Sequence, residues 1–94
     1  MAIPDGYWGG IFARSGLATK QGLRPSNCVG VIDSDYRGPI IVALYNDSND
    51  NKIIHKGDKI AQMIISPFVY WTIHVVDTLE KTKRGEGGFG STGK

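Results

Sequence analysis

A chain of 94 residues with 40% hydrophobic content is large enough for one small domain and too apolar to be disordered throughout. Its formal net charge of +2 is too small to indicate a nucleic-acid partner, and no apolar run is long enough for a signal peptide or membrane span. The single cysteine, Cys28, excludes an internal disulfide, and its neighbours favour a small core residue over a nucleophile. We therefore expect one domain, residues 1–94, in a reducing cytoplasm.

The predicted elements, in chain order, are almost all β-strands. Apolar, β-branched and aromatic residues predict strands at 7–13, 28–32, 39–45, 52–55, 59–65 and 68–76, and only residues 15–21 favour a short helical turn. Polar turn clusters separate them at 33–38, at 46–51 (NDSNDN) and at 56–58 (KGD). Residues 39–45 are apolar on both faces, which indicates a buried strand. This even spacing predicts an all-β sandwich or barrel, and strand edges left uncovered in it would require subunit contacts.

Two polar features follow predicted strands and leave alternatives open. In RSGLATKQG, residues 14–22, the backbone N–H groups around Ser15 and Gly16 can form an anion-binding turn beside the Arg14 guanidinium. A serine-capped turn with a solvated arginine explains the same residues. Gln62 is a lone polar residue in the apolar strand of GDKIAQMIISP, so it is either a satisfied core amide or a ligand contact.

The stretch NCVGVIDSDYRG, residues 27–38, carries an asparagine, two aspartates and a tyrosine on one tight hairpin. Such a hairpin can hold a nucleobase edge, place a ring against a sugar and activate a water. The alternative is an ordinary β-turn, in which Asp33, Asp35 and Gly38 serve turn chemistry and Tyr36 packs.

The chain ends in RGEGGFGSTGK, residues 84–94, which matches both G-x-G-x-x-G and G-x-x-x-x-G-K. Neither motif has the helix that must follow its glycines, and the second lacks the Ser or Thr that should follow its lysine. A disordered Gly/Ser tail remains, as does a tail that closes over a phosphate held elsewhere in the fold.

Taken together and in order, RSGLA, GVIDSDYRG, GDKIAQ and RGEGGFGSTG closely resemble the conserved motifs two to five of the trimeric dUTP diphosphatase (dUTPase) family. The lead-in IPDGYWGGIFARSGLA also resembles the strand that carries motif two, so the resemblance covers essentially the whole chain. It implies a jelly-roll-like β-sandwich or barrel, a homotrimer with shared active sites, and hydrolysis of dUTP to dUMP and pyrophosphate with Mg²⁺. In the family this reaction keeps uracil out of DNA.

The resemblance also implies roles at matching positions. Asp33 would be the general base that activates the attacking water, Gln62 would reach the phosphate next to the attacked bond, and Tyr36 would lie against the deoxyribose and exclude a 2′-hydroxyl. The further implied substrate contacts are Arg14, Ser15 and Gly16 at the phosphates, Asn27, Val31, Ile32 and Asp33 at the uracil edge and sugar, Ile41 beside them, and Arg84, Phe89, Gly90, Ser91 and Thr92 in a mobile glycine-rich lid at residues 82–94. No residue is implied as a direct metal ligand, because the family binds Mg²⁺ mainly through the substrate phosphates.

The family's first motif, an Ala-Gly-x-Asp-type segment, and its strands have no counterpart in this sequence. We therefore expect a family member that lacks its N-terminal part and whose activity is weak. The alternative is a non-catalytic deoxynucleotide-binding or protein-interaction module. A single-stranded nucleic-acid binder would need a basic aromatic face, which Glu80, Glu86 and the acidic hairpin dilute. Neither a nucleic acid nor a membrane is expected as a partner.

Overall fold

The structure is a computed structural model that describes residues 1–90 and residue 93. Its elements are β1 (Tyr7–Phe12), α1 (Ser15–Gln21), β2 (Leu23–Pro25), β3 (Gly30–Ile32), β4 (Leu44–Asn46) and β5 (Gln62–Pro67). Strands therefore dominate the regular structure of the described residues, as predicted. Within the same residues, no helix has the length and apolar character needed to cross a membrane.

Strand β1 is the centre of a three-stranded antiparallel sheet with the order β3-β1-β5. It pairs with β5 along its whole length, from Tyr7 opposite Pro67 to Phe12 opposite Gln62. On its other edge β1 pairs with β3, from Gly9 opposite Ile32 to Ile11 opposite Gly30. This register places Gln62 at the C-terminal end of β1, and it places the end of β3 close to the N-terminal half of β1.

Close packing around β1 explains the glycine at position 9. A Cβ atom built on Gly9 would lie 2.9 Å from Ile3 Cδ1, so a side chain here would displace the end of the Ile3 side chain from the strand. Ile3 and Ile11 are buried there, and Leu23 is the third buried apolar side chain of the described core. Ile3, in the segment before β1, therefore packs on the sheet, and this segment is part of the fold.

A second, two-stranded sheet pairs β2 with β4 and supports α1. The helix ends at Gly22, which has a φ of 72° and donates its backbone N–H to the carbonyls of Leu17 and Ala18. The Gly22 carbonyl accepts a hydrogen bond of 2.7 Å from the backbone N–H of Asp47. At the same edge Arg24 forms an ion pair of 2.7 Å with Asp47, which raises the pKa of the guanidinium. The helix is thus fixed to the β2–β4 sheet through its C-terminus.

Several predicted strands are wrong or shifted. The predicted strands at 52–55 and 68–76 are not strands in the structure, and of 39–45 only the last two residues belong to one, β4. Ile41 is 77% exposed, so its segment is not the buried strand that its composition suggested. The strands predicted at 28–32 and 59–65 form only as β3 and β5, while β2 was not predicted. The predicted helical turn at 15–21 and the KGD turn, where the Asp58 N–H donates to the His55 carbonyl, are confirmed.

Cys28 is also not where its sequence context placed it. The prediction of a small core residue is wrong, because the cysteine is exposed. It lies two residues before β3, in a bend. The residue types beside Cys28 in the sequence therefore did not indicate its burial.

The described chain is extended and exposes much apolar surface. Its radius of gyration is 19.0 Å, whereas a compact domain of this length would have about 12 Å. The apolar ribbon, which we define as residues 68–79, is the clearest case: Trp71 is 82% exposed and Val75 is 96% exposed. A contiguous apolar surface of this kind normally marks a protein–protein contact.

Candidate functional site

The turn between β1 and α1 forms the first part of the candidate site. Arg14 is the residue that precedes the helix, with an extended backbone (φ −91°, ψ 127°), and no side chain caps the helix start. The serine-capped alternative is therefore wrong for this turn. Arg14, Ser15, Gly16, Leu17 and Gln62 line an open cavity of about 310 Å³, which we call the turn cavity. The structure thus brings four of the predicted phosphate-contacting residues into one place.

Gln62 is held against this turn by a defined contact. Its Nε2 atom donates a hydrogen bond of 2.8 Å to the carbonyl oxygen of Ala13, the residue before Arg14. The pairing of Phe12 with Gln62 explains the contact, because it puts the first residue of β5 beside the end of β1. Gln62 is exposed, so of the two alternatives the core amide is excluded and the side chain is oriented at the surface of the cavity.

The turn cavity suits an anion. A guanidinium, a hydroxyl and a side-chain amide line it, and the first turn of α1 contains no acidic residue. The N–H groups in the first turn of any helix have no partner inside the helix, so they are free to face a ligand oxygen. The donors in this cavity are therefore numerous, and its formal charge is positive.

The hairpin after β3 forms the second part of the candidate site. The Tyr36 N–H donates to the Asp33 carbonyl at 3.1 Å, and this bond closes the turn. Arg37 Nη1 donates to the carbonyls of Ser34 (2.7 Å) and Tyr36 (3.0 Å), so one guanidinium ties the loop to itself. Val31, Ile32, Asp33, Tyr36, Pro39 and Ile41 line a cavity of about 190 Å³, the hairpin cavity.

Asn27 lies on the other side of the same hairpin. It lines an adjoining cavity of about 290 Å³ together with Val31, Ile32 and Ile41, the three residues that the two cavities share. Three apolar residues thus lie between the cavity lined by Asn27 and the cavity lined by Asp33 and Tyr36. The predicted base-reading and sugar-contacting residues meet around this wall.

The two parts of the site lie at different ends of β1 in one chain. Gly9 pairs with Ile32, the residue just before Asp33, whereas Arg14 follows the far end of the strand. Extended chain between residues 9 and 14 spans on the order of 15 Å. The turn cavity and the hairpin cavity also share no lining residue. Within the described residues, the predicted phosphate contacts and the predicted nucleoside contacts therefore lie in two separate places.

The C-terminal segment lines neither of these cavities. Arg84 Nε donates to the Gly87 carbonyl at 2.7 Å, and this contact folds the segment onto itself. Phe89 is fully exposed and has a φ of 48°, in the left-handed region that bulky residues rarely adopt. Gly90 follows with a φ of 89°. Ser91 and Thr92 lie outside the described residues, so the lid at 82–94 stays a prediction.

Sequence reasoning missed several residues of the candidate site, among them Leu17, Pro39 and Arg37. Leu17 lines the turn cavity, Pro39 lines the hairpin cavity, and Arg37 ties the hairpin loop together. An arginine inside a turn reads as a solvated charge, and a proline reads as a strand boundary, so neither gave a distinctive signal. The backbone contacts of Arg37 become visible only in three dimensions.

Comparisons with known proteins identify the family. The family model described as dUTPase matches residues 1–93. The chain is 53% identical over 83 residues to a deoxyuridine 5′-triphosphate nucleotidohydrolase of Desulfitobacterium hafniense, covering 88% of this chain and 55% of that protein. It is 52% identical over 94 residues to the protein of the same name from Dinoroseobacter shibae, covering 100% of this chain and 61% of that protein. The chain thus spans 55–61% of the length of these two curated relatives.

Solved structures agree with this result. A mutant dUTPase of Staphylococcus bacteriophage 80alpha, with dUpNHpp, superimposes with a TM-score of 0.84 at 30% sequence identity. The match covers 99% of this chain and 70% of the phage chain. It confirms the expected jelly-roll-like β fold. The chain belongs to the dUTPase family.

Proposed function

We propose that this protein is a dUTP diphosphatase, which hydrolyses dUTP to dUMP and pyrophosphate and so keeps uracil out of DNA. The observation that carries the proposal is the 52% identity over all 94 residues to a deoxyuridine 5′-triphosphate nucleotidohydrolase. The separate turn and hairpin cavities support it, because a nucleoside triphosphate needs both an anion site and a base and sugar site.

The turn cavity would hold the triphosphate. Arg14 supplies the positive charge, while Ser15 and Gly16 supply backbone and hydroxyl donors. Gln62, oriented by the Ala13 carbonyl, would donate from its amide to the phosphate beside the attacked bond. Such preorganised donors stabilise the charge that develops on the phosphate oxygens during transfer.

The hairpin would hold the deoxyuridine. Asn27 and the backbone at Val31 and Ile32 would pair with the uracil edge, and Ile41 would contact the base from the same wall. A narrow site of this kind has no room for the thymine methyl, and its amide pattern mismatches cytosine. Tyr36 would lie against the deoxyribose and exclude a 2′-hydroxyl.

Asp33 would be the general base. Its carboxylate orients the attacking water and takes its proton, so that the oxygen attacks the α-phosphorus in line and pyrophosphate leaves. Its position at the rim of the hairpin cavity, beside Tyr36, supports this role, since the water must approach next to the sugar.

We infer that the active protein is a homotrimer with shared sites. The hairpin of one chain and the turn of the same chain lie at different ends of β1, so a complete site needs the hairpin of one copy to face the turn of another. The exposed apolar ribbon and the large radius of gyration support assembly, because they leave apolar area that a partner can cover. A cytoplasmic location is proposed from the unpaired Cys28.

The C-terminal segment, residues 82–94, would close over the bound nucleotide. Arg84 would pair with the terminal phosphate and Phe89 would stack on uracil, with Gly90, Ser91 and Thr92 as donors to phosphate oxygens. The full exposure of Phe89 supports a ring that takes its partner from the ligand or from another chain. Closure would exclude bulk water from the reaction.

Mg²⁺ is part of the proposal as an ion that arrives with the triphosphate. Among the described residues, no three His, Cys, Asp or Glu side chains converge. When bound to the phosphate oxygens, Mg²⁺ neutralises their charge. The part of this chain would be to add donors from Arg14, Arg84 and Gln62 around those oxygens.

The test is pyrophosphate release from dUTP in the presence of Mg²⁺. We expect turnover with dUTP and little with dTTP, dCTP or UTP, and we expect Asp33→Asn to abolish it. Asp35→Asn is the matched control, because it removes a carboxylate from the same loop without changing the proposed base.

The outcomes separate the alternatives. Turnover that survives Asp33→Asn would contradict the assignment of the base. Absence of turnover, from folded protein that still binds dUpNHpp, would contradict the enzyme and leave a deoxynucleotide-binding module. Sedimentation of the same sample reports the homotrimer independently.

A further inference from the structure

We propose that Gly38 is a positioning residue that determines nucleotide specificity. Because Gly38 has no side chain, the Tyr36 ring can lie directly against its backbone, in a space that we call the ring seat. The inference deepens the proposed function, on which its consequence for nucleotide choice rests. The three atoms nearest to a Cβ atom built on Gly38 all belong to Tyr36, so we expect Gly38 to act through that ring.

The contact between the ring and the glycine is very close. A Cβ atom built on Gly38 would lie 2.6 Å from Tyr36 Cζ and 3.0 Å from Tyr36 Cε1, and it would also collide with the Tyr36 hydroxyl. Gly38 does not have the left-handed φ that otherwise requires a glycine in turns. The ring of Tyr36, and not the turn geometry, is therefore the reason for a glycine here.

The ring has few other supports. Tyr36 is 41% exposed, so no core packing fixes it. Its hydroxyl donates a hydrogen bond of 2.7 Å to the Pro39 carbonyl, and this bond requires the ring to cross over Gly38. The seat on Gly38 and the bond to Pro39 thus determine together where the ring stands.

A side chain at position 38 would move the ring more easily than the backbone. The colliding atoms are the far end of an exposed side chain, which can rotate away at little cost to the fold. Rotation breaks the bond to Pro39 and moves one wall of the hairpin cavity away from Asp33 and Ile41. We therefore expect Gly38→Ala to change nucleotide choice much more than stability.

The experiment measures binding of dUpNHpp, an imido analogue of dUTP, and of its 2′-hydroxy counterpart by calorimetry. Gly38→Ala should weaken dUpNHpp binding by roughly five- to tenfold, the scale of one lost neutral hydrogen bond, and should reduce the preference over the ribonucleotide. Ser34→Ala on the same loop is the matched control, since it keeps the backbone carbonyl that Arg37 contacts. Thermal unfolding of both variants checks that the fold is retained.

A double-mutant cycle distinguishes an effect of Gly38→Ala that acts through the Tyr36 ring from an effect on the loop as a whole. In a Tyr36→Ala background the additional change Gly38→Ala should have no further effect on the preference. An equal effect in both backgrounds would overturn the proposal, and so would an unchanged preference in Gly38→Ala itself.

A measurement without ligand keeps the proposal independent of the proposed function. The Tyr36 ring should shift the NMR signals of the Gly38 Hα protons, and Tyr36→Ala should remove that shift. If wild-type protein shows this shift but does not prefer dUpNHpp, the proposed function fails while the ring seat stands. If the shift is absent, the seat does not exist and the inference is wrong even when the nucleotide binds.

Discussion

Replacing Gln62 by glutamate tests the link between the sheet and the phosphate site. The amide Nε2 of Gln62 donates to the Ala13 carbonyl at 2.8 Å and lies at the edge of the turn cavity. Gln62→Glu keeps the length of the side chain but replaces the donor by an oxygen, so the contact with Ala13 is lost. It also puts a negative charge where the phosphates are expected.

The two consequences differ in magnitude. A neutral hydrogen bond contributes about 0.5–1.5 kcal/mol, and the exposure of Gln62 favours the lower half of that range. Two unit charges about 5 Å apart repel by on the order of 3 kcal/mol at a surface dielectric, before salt reduces the effect. Repulsion therefore dominates for a triphosphate, and for an uncharged nucleoside only the small loss of orientation remains.

Calorimetry with dUpNHpp and NMR titration with deoxyuridine measure these two terms. We expect Gln62→Glu to weaken dUpNHpp binding by roughly tenfold to a hundredfold at low salt, with a smaller loss at high salt. Gln62→Met, which removes the donor without adding charge, should cost at most about tenfold. Deoxyuridine binding should change little in either variant. Equal losses for dUpNHpp and deoxyuridine, or a loss that salt does not alter, would refute the reasoning.

Three further predictions follow from contacts outside the site. Gly22→Ala places a side chain at a φ of 72°, which should destabilise the helix end by about 1 kcal/mol and lower the thermal midpoint by several degrees; an unchanged midpoint in a circular-dichroism melt would contradict the cap. The hydrogen bond from Tyr70 to Asp5 raises the pKa of the Tyr70 phenol above its ordinary value of about 10. The contribution of this bond to the stability of the fold is therefore present below about pH 10 and is lost as the pH rises through the raised pKa. Tyrosinate absorbance should show one late-titrating phenol that Asp5→Asn shifts to lower pH, with Tyr70→Phe as the control, and a titration insensitive to Asp5→Asn would count against the contact. Trp71→Asp in the apolar ribbon should reduce the sedimenting mass, whereas Thr72→Asp, which replaces a neighbouring polar residue, should reduce it less, and equal masses for both would argue against the ribbon as a subunit contact.

Local features of the fold were predictable from the sequence because their causes are local. The helix at residues 15–21 ends at a glycine with a left-handed φ, and the KGD turn uses Gly57 in the same region of φ. Strand β1 was predicted nearly to its ends, since aromatic and apolar residues run along its whole length. In each case the residues that indicate the element in the sequence are the same residues that form it.

Features that depend on a neighbouring strand or on a covering surface were not predictable from the sequence. Residues 68–76 have the composition of a strand, but a strand also needs a neighbour to accept its backbone hydrogen bonds, and in the described chain the segment does not form one. Ile41 is exposed for the same kind of reason, because little of the described chain covers it. Composition therefore indicated which residues can pair or become buried, and not whether a surface is present to receive them.

For the candidate site too, the sequence indicated some features and not others. Motif order and residue types indicated Arg14, Gln62, Asp33 and Tyr36 through the family resemblance, but not the contacts that orient them. Those contacts are made by backbone carbonyls, of Ala13 for Gln62 and of Pro39 for Tyr36. A carbonyl is present at every position, so sequence gives it no distinguishing mark.

The pairing of β1 with β3 determines the distance between Asp33 and Arg14, and this distance bears on whether the active site is shared between copies. Because Ile32 lies opposite Gly9, Asp33, the proposed base, and Arg14, a proposed phosphate contact, cannot approach one another without unpairing the sheet. Their separation is therefore a fixed property of the fold and is not removed by a side-chain movement. Under the proposed function, a reaction that needs both groups on one nucleotide occurs between copies, and we expect activity to depend on protein concentration wherever the assembly dissociates. Specific activity that stays constant through dissociation would show that one chain brings both groups together after all, and it would contradict the shared site.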